Sequence, residues 1–224
     1  MIPLRDTIPS RSFPLMTLTL IAVNTLVFLY EVGLGRALDR FLLVYGFVPA
    51  VYFHYSQVEP WNVPVRFVPM VSSMFLHGGW LHLIGNMWTL WIFGDNVEDR
   101  LGKGRYLLYY LVCGVAAAYV HYLTGPRSGV PVVGASGAIA GVMGGYFVLF
   151  PRAQIVTLLP IFFFIQIVTV PAVVFLAFWF FAQLFNGMVA SAASFGGGVA
   201  WWAHVGGFIV GAVMILPLRQ GWFR

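Results

Sequence analysis

Charged residues divide this chain into long uncharged stretches, at 12–30, 67–94, 106–126, 128–151 and 153–218. A helix crossing a bilayer core needs about 20 apolar residues. The first four stretches hold one such helix each. The last is 66 residues long and holds two, separated by the small-residue loop Ser191–Gly198. The pattern predicts six spans, at about 15–33, 70–94, 105–124, 135–151, 168–189 and 201–218. Apolar residues run on without alternation, as in Ile161-Phe162-Phe163-Phe164-Ile165. A membrane β-barrel would alternate with period two, and lone strands leave their backbone unsatisfied in lipid. The expected fold is therefore all-α: a polytopic bundle of six transmembrane helices. It forms one domain over 1–224, with its core at about 15–218, because no repeat or linker interrupts it. The first apolar run lacks a small-x-small exit and is too long for a cleaved signal.

Two other segments are apolar without being spans. Residues 34–66 form a long connection containing Phe41-Leu42-Leu43-Val44-Tyr45-Gly46-Phe47-Val48-Pro49. That run is too apolar for a solvated loop and too broken to cross, so an interfacial element is predicted. The segment Ile161–Gln166 is read the same way on the opposite side.

Composition narrows the class. Of 224 residues 60% are apolar and 8% charged, against about 25% charged in soluble domains. Nineteen charges cannot cover a soluble domain of this size, and so apolar a chain is not disordered. The net charge is +5, but no basic cluster forms a patch, so the partner predicted is the lipid bilayer and not nucleic acid. A single cysteine, Cys113, excludes an internal disulfide and a cysteine-ligated cluster. With the N-terminus cytoplasmic, Arg5, Arg11, Arg100, Lys103, Arg105, Arg152, Arg219 and Arg224 lie inside, and Arg36, Arg40, Arg66 and Arg127 outside. This bias predicts both termini in the cytoplasm. A bare six-span core points to a prokaryotic plasma (inner) membrane, with an organelle membrane as the alternative.

Polar side chains inside membrane spans are functional candidates. They are few here: His77, His82 and Asn86 in the second span, Ser136 opening the fourth, His204 opening the sixth, and Gln154, Gln166, Gln183 and Asn186 around the fifth. At 1.5 Å per residue, Ser136 stands about 24 Å from Arg152, His204 about 22 Å from Arg219, and His82 about 20 Å from Asp95. The three share one layer, several Å below the outer surface. Lateral proximity is suggested by small residues spaced four apart: Gly137, Gly141 and Gly145 after Ser136, and Ala203, Gly207 and Gly211 around His204. Such faces let two membrane helices approach closely. If they pack together, a serine hydroxyl meets an imidazole, the arrangement that activates a nucleophile. Asp95, Glu98 and Asp99 lie roughly 20 Å away by the same rise, so the site is a Ser–His dyad without an acid. His82 and Asn86 share a helix face. With the Ser136 N–H they can stabilise a developing oxyanion.

Each residue also has a plainer reading. A lone intramembrane serine usually bonds its own helix backbone, glycines at four-residue spacing usually just pack, and a lone histidine can bridge helices or bind an ion. His77 reads as structural, His54 and His121 as interfacial. A metal site of His77, His82 and His204 is disfavoured, because five residues place the first two about 140° apart on a helix. No metal or other cofactor is implied.

Four segments carry a family resemblance. Gly134-Ala135-Ser136-Gly137 resembles the nucleophile motif of rhomboid intramembrane serine proteases. Ala203-His204-Val205-Gly206-Gly207 with Gly211 resembles the family's histidine helix. In His77-Gly78-Gly79-Trp80-Leu81-His82-Leu83-Ile84-Gly85-Asn86, His82 and Asn86 match the oxyanion-stabilising positions. Glu98-Asp99-Arg100 resembles the E-x-R motif, where Glu98 and Arg100 would pair to brace the turn. The resemblance covers about 15–218. It implies a serine endopeptidase cutting single-span membrane proteins near their transmembrane segments, in a water-filled cavity gated by the fifth helix. The alternative is a non-catalytic rhomboid-like binder or chaperone. One departure concerns the site: the position four after the nucleophile is often aromatic in the family, packing on the catalytic ring, and here it is Ala140. The Trp-Arg pair of some members' first loop is also absent, with only Arg66 nearby.

Overall fold

The computed structural model describes residues 1–161, 164–192 and 199–219. It is mainly helical. Strand β1 (Ile2–Asp6) precedes α1 (Leu15–Gly33), α2 (Leu38–Tyr45), α3 (Pro49–Val58), α4 (Val63–Ser72), α5 (Trp80–Leu101), α6 (Lys103–Thr124) and α7 (Ser136–Leu149). A hairpin of β2 (Gln154–Ile161) and β3 (Phe164–Pro171) leads into α8 (Ala172–Ala192), and α9 (Trp201–Arg219) follows. The small-residue connection expected at Ser191–Gly198 falls mostly outside the described residues.

The predicted spans correspond to α1, α4 with α5, α6, α7, α8 and α9. Among the described residues, α1, α6 and α8 are each long and apolar enough to cross a membrane, and α4 with α5 passes as a bent pair. The other two, α7 and α9, are shorter apolar helices. Helix α7 has 14 residues, ten of them buried, on every side of the helix. Protein surrounds it, so its length need not match the bilayer.

The second span departs from a single helix. Its two parts bend by 86° at Leu76–Gly79. The bend has a cause: the His77 N–H leaves the helical ladder and donates to the buried Glu31 carboxylate at 3.1 Å, and Gly78-Gly79 follows. Helix α5 then runs on to Leu101, past the charges expected to end it.

Those charges are partnered by the N-terminal segment. The Glu98 carboxylate accepts from the Met16 N–H at 3.0 Å, the Thr17 N–H at 2.8 Å and the Thr17 hydroxyl at 2.8 Å. It caps the otherwise unbonded N–H groups at the start of α1. The expected Glu98–Arg100 pair is therefore replaced: Glu98 is buried against α1, while Arg100 is exposed. Asp99 holds the Ser12 N–H at 3.0 Å and the Arg11 N–H.

The apolar run in the first connection is not a continuous interfacial element. It breaks at Gly46, and Phe47 pairs with Val132 and packs on Tyr52, Met70 and Ala118. Arg66 braces this region by donating to the Pro60 carbonyl at 2.8 Å and the Tyr52 hydroxyl at 3.1 Å.

The segment expected to lie on the opposite surface is a β-hairpin. Residues 162 and 163, part of that segment, lie outside the described set. The sheet is antiparallel in the order β1-β2-β3, with Ile2 opposite Leu158 and Gln154 opposite Pro171. Five of the eight β3 residues are Ile, Val or Thr, which suit a pleated surface. The fifth helix accordingly starts at Ala172 rather than 168, where the Ala172 N–H donates to the Ala153 carbonyl at 2.8 Å. Asp6 in β1 ties the sheet to the bundle, accepting from the Tyr146 hydroxyl of α7 at 2.5 Å and the Asn96 amide of α5 at 2.9 Å.

The main core lies where α5, α6 and α7 meet, around the fully buried Leu90, Phe93, Tyr106, Tyr110 and Tyr146.

Candidate active site

The site is built where α7 and α9 touch. A Cβ placed on Gly207 would run into the Gly137 carbonyl oxygen, and one on Gly211 into that of Gly141. Gly144 meets the Phe208 carbonyl in the same way. At these positions any side chain would force the helices apart, so the small-residue faces bring two backbones into direct contact. Gly141 also faces Cys113 of α6; this buried thiol packs against the seam.

That seam brings two of the predicted residues together. Ser136 is the first residue of α7, and His204 lies in the first turn of α9. The Ser136 hydroxyl donates to His204 Nε2 at 2.8 Å, across 68 residues of sequence. His204 is buried, whereas Ser136 is half-buried.

The ring's other nitrogen decides its role. His204 Nδ1 is 2.7 Å from the Gln183 side-chain carbonyl, Oε1, on α8. A carbonyl oxygen only accepts, so Nδ1 carries the proton and Nε2 presents a lone pair to the serine. The Trp179 ring, also on α8, stands 5.9 Å from the imidazole at 35°, and Trp201 meets it edge-on at 6.3 Å. Ala140 is fully buried and offers the ring no aromatic face; Trp179 supplies one from a different helix. In the sequence Gln183 is one of four polar residues around the fifth span and Trp179 does not stand out, yet both belong to a four-residue stripe, 179, 183, 187 and 191.

His82 and Asn86 reach the same place from α5. Gly134 has φ +122°, a left-handed conformation that favours glycine. A Cβ there would stand 2.6 Å from His82 Nε2 and 3.6 Å from Asn86 Nδ2. The Gly134 N–H is fixed on the Ser73 carbonyl at 2.9 Å. The Gly78 N–H points at His82 Nδ1 from 3.4 Å, which leaves the ring proton on Nε2. Asn86 Nδ2 is buried without a hydrogen-bond partner. As the first helical residue, Ser136 has an N–H with no acceptor inside α7. His82 Nε2 and Asn86 Nδ2 therefore flank Gly134, two residues before the serine.

His77 does not join this group. Both its ring nitrogens are buried without partners, and its ring packs 5.1 Å from that of His82 and against Phe28. His54 is exposed, whereas His121 is half-buried, with Nδ1 enclosed and unbonded. Among the described residues no three His, Cys, Asp or Glu side chains gather as a metal-ligand set.

Sequence comparisons identify the family. The model of the rhomboid domain family matches residues 64–221, more than half of the chain. Rhomboid-like protein 11, chloroplastic, from Arabidopsis thaliana is 36% identical over 120 residues, 53% of this chain and 40% of that protein. Presenilin-associated rhomboid-like protein A, mitochondrial, from Danio rerio is 35% identical over 99 residues, 43% of this chain and 26% of that protein. Rhomboid protease GluP from Bacillus subtilis (strain 168) is 33% identical over 132 residues, 58% of this chain and 24% of that protein. The matched stretch thus spans less than half the length of each of these relatives. A family domain that takes in the serine, histidine and asparagine positions, on a bundle of long apolar helices, leads to one assignment: the chain belongs to the rhomboid family of multi-pass integral membrane proteins.

Proposed function

We propose that this protein is an intramembrane serine endopeptidase that hydrolyses peptide bonds in or near the transmembrane segments of single-span membrane proteins. The observation that carries the reading is the 2.8 Å bond from the Ser136 hydroxyl to an unprotonated His204 nitrogen. Such a pair lets oxygen attack a carbonyl carbon while the imidazole takes its proton. The tetrahedral intermediate then carries negative charge on the former carbonyl oxygen. His82 Nε2–H, the Asn86 amide and the Ser136 N–H are the donors that hold it. Losing one such donor typically costs about 3 kcal/mol of transition-state stabilisation. His204 next gives its proton to the leaving amine. Water, deprotonated by the same ring, resolves the acyl-enzyme to acid and free serine.

The half-buried serine supports access from one membrane face, and the basic-residue bias supports that face being the outer one, with both termini on the inner side; a prokaryotic plasma membrane is part of this proposal. Glu98 serves as a structural anchor in this scheme, through α1.

Purified protein in bilayers is offered a panel of single-span substrates. Cleavage is expected with wild type and not with Ser136→Ala or His204→Ala. Full cleavage by either variant rejects the dyad. Tight binding of the panel without any cleavage by wild type would favour a non-catalytic binder instead.

A further inference from the structure

Helix α8 meets α9 along one stripe. Trp179, Gln183, Gly187 and Ser191 are spaced four apart and so lie on one face. Trp179 packs on His204 and Phe208. Gln183 bonds His204. Gly187 lies against Trp201 and Trp202, where an added Cβ would sit 3.2 Å from the Trp202 ring. Ser191 accepts the Trp202 indole N–H at 3.0 Å. The two middle members, Gln183 and Gly187, are buried; Gln183 is 8% exposed.

Gln183 is thus a buried amide whose one hydrogen bond to a side chain, among the described residues, goes to the base. Without an acceptor, a neutral imidazole is free to place its proton on Nε2. That nitrogen would then donate to Ser136 and could not receive its proton. Among the described residues no carboxylate reaches Nδ1. The titratable groups on the packed elements whose charge acts on His204 are His82 and His121, and neither bonds Nδ1.

We propose that Gln183 is a positioning residue: from α8 it holds the proton of His204 on Nδ1, so the base is competent for proton transfer only while α8 is seated on α9. An amide carbonyl takes the place that a carboxylate fills in a triad. It fixes the tautomer without placing a second charge in the bundle. The proposal deepens the hydrolase reading above and rests on it.

The test uses the full-length protein in bilayers with Gln183→Met, which keeps the side-chain length but removes the acceptor, and Gln183→Glu, which keeps an acceptor oxygen in either protonation state. Gln183→Met is expected to lower kcat on the order of 100-fold, the usual worth of a positioned base, with KM within about twofold of wild type. Gln183→Glu is expected to keep kcat within about tenfold, since its oxygen still accepts from Nδ1. The 15N spectrum of histidine-labelled protein, with His204 assigned by its absence in His204→Asn, gives a readout independent of cleavage. Wild type and Gln183→Glu are expected to show a protonated Nδ1 and a bare Nε2, and Gln183→Met a population with these reversed. A protonated Nε2 in wild type, or a Gln183→Met protein with unchanged kcat and tautomer, overturns the proposal. Should Gln183→Met not fold, the wild-type and Gln183→Glu spectra still decide. A wild type that shows the expected tautomer but cleaves nothing defeats the hydrolase reading and leaves the tautomer assignment standing.

Discussion

Helix α9 has two very different neighbours. Toward α7 it presents Gly207 and Gly211, and the two backbones touch with no room for a methyl group. Toward α8 it presents Trp201, Trp202, His204 and Phe208, and side chains fill the gap. Helix α7 is buried nearly all round, whereas five of the 21 residues of α8 are buried. The first seam sets the distance between Ser136 and His204. The second sets which nitrogen of His204 faces the serine. Close backbone packing fixes a distance because it has no slack, and a side-chain seam can be parted without rebuilding the core. Placement of the proposed dyad is thus built into the rigid contact, and the state of its base into the looser one.

Substitutions that act on one seam and spare the other break the comparison most directly. The largest effect is expected from Gly207→Val. Its side chain would overlap the Gly137 carbonyl, and overpacking against immobile backbone belongs at or above the top of the usual 1–3 kcal/mol. A thermal unfolding scan in detergent should show a collapse in Tm together with loss of any Ser136 reactivity; a Tm near that of wild type would mean that the seam is looser than described.

Asn86→Ala separates chemistry from packing. It removes a buried donor that bonds nothing in the resting protein, so Tm should hold or rise. At the same time kcat should fall about 100-fold if the amide meets the oxyanion. Steady-state kinetics beside a melting curve check both halves, and unchanged kcat would remove Asn86 from the reaction.

On the looser seam, Gly187→Ala should cost on the order of 1 kcal/mol or less. The new Cβ stands 3.2 Å from the Trp202 ring rather than against backbone. A drop in Tm as large as that of Gly207→Val would erase the distinction between the two seams.

The smallest effect concerns the sheet beneath α8. Burial raises the Asp6 carboxyl above its ordinary 3.8, although bonds such as that from Tyr146 oppose the shift. The folded protein then holds a proton that the unfolded chain releases. This contribution is complete below about pH 3.8 and is lost as pH rises through the higher folded value. Stability of wild type should therefore fall slightly more steeply than that of Asp6→Asn across this acid range, by denaturant titration at successive pH values. A steeper fall in the variant contradicts the sign.

Much of this was legible in the sequence because lipid leaves few options. Charges mark the ends of apolar runs, and glycines at four-residue spacing mark a close seam. The proximity of Ser136 and His204 followed from matched depth plus matched small faces. The hairpin at 154–171 was hidden because a continuous apolar run does not distinguish a buried helix from a strand; the β-branched content of β3 was the available signal. Glu98 is structural, as the sequence suggests, but a motif three residues long points to a local partner, whereas its carboxylate bonds α1, some 80 residues earlier in the chain. Gln183 was visible as a polar residue near the fifth span. Periodicity places it on a face of α8 but does not say which neighbour that face meets, so its bond to His204 emerges only from the packed bundle.

The central claim is that Ser136 is a nucleophile because His204 takes its proton. The most direct measurement is reaction of the folded protein with a fluorophosphonate probe, followed by peptide mass spectrometry to locate the adduct. The account predicts modification of wild type at Ser136 and its loss in His204→Ala at unchanged Tm. An adduct on another residue, or equal labelling of Ser136 without the histidine, would contradict it.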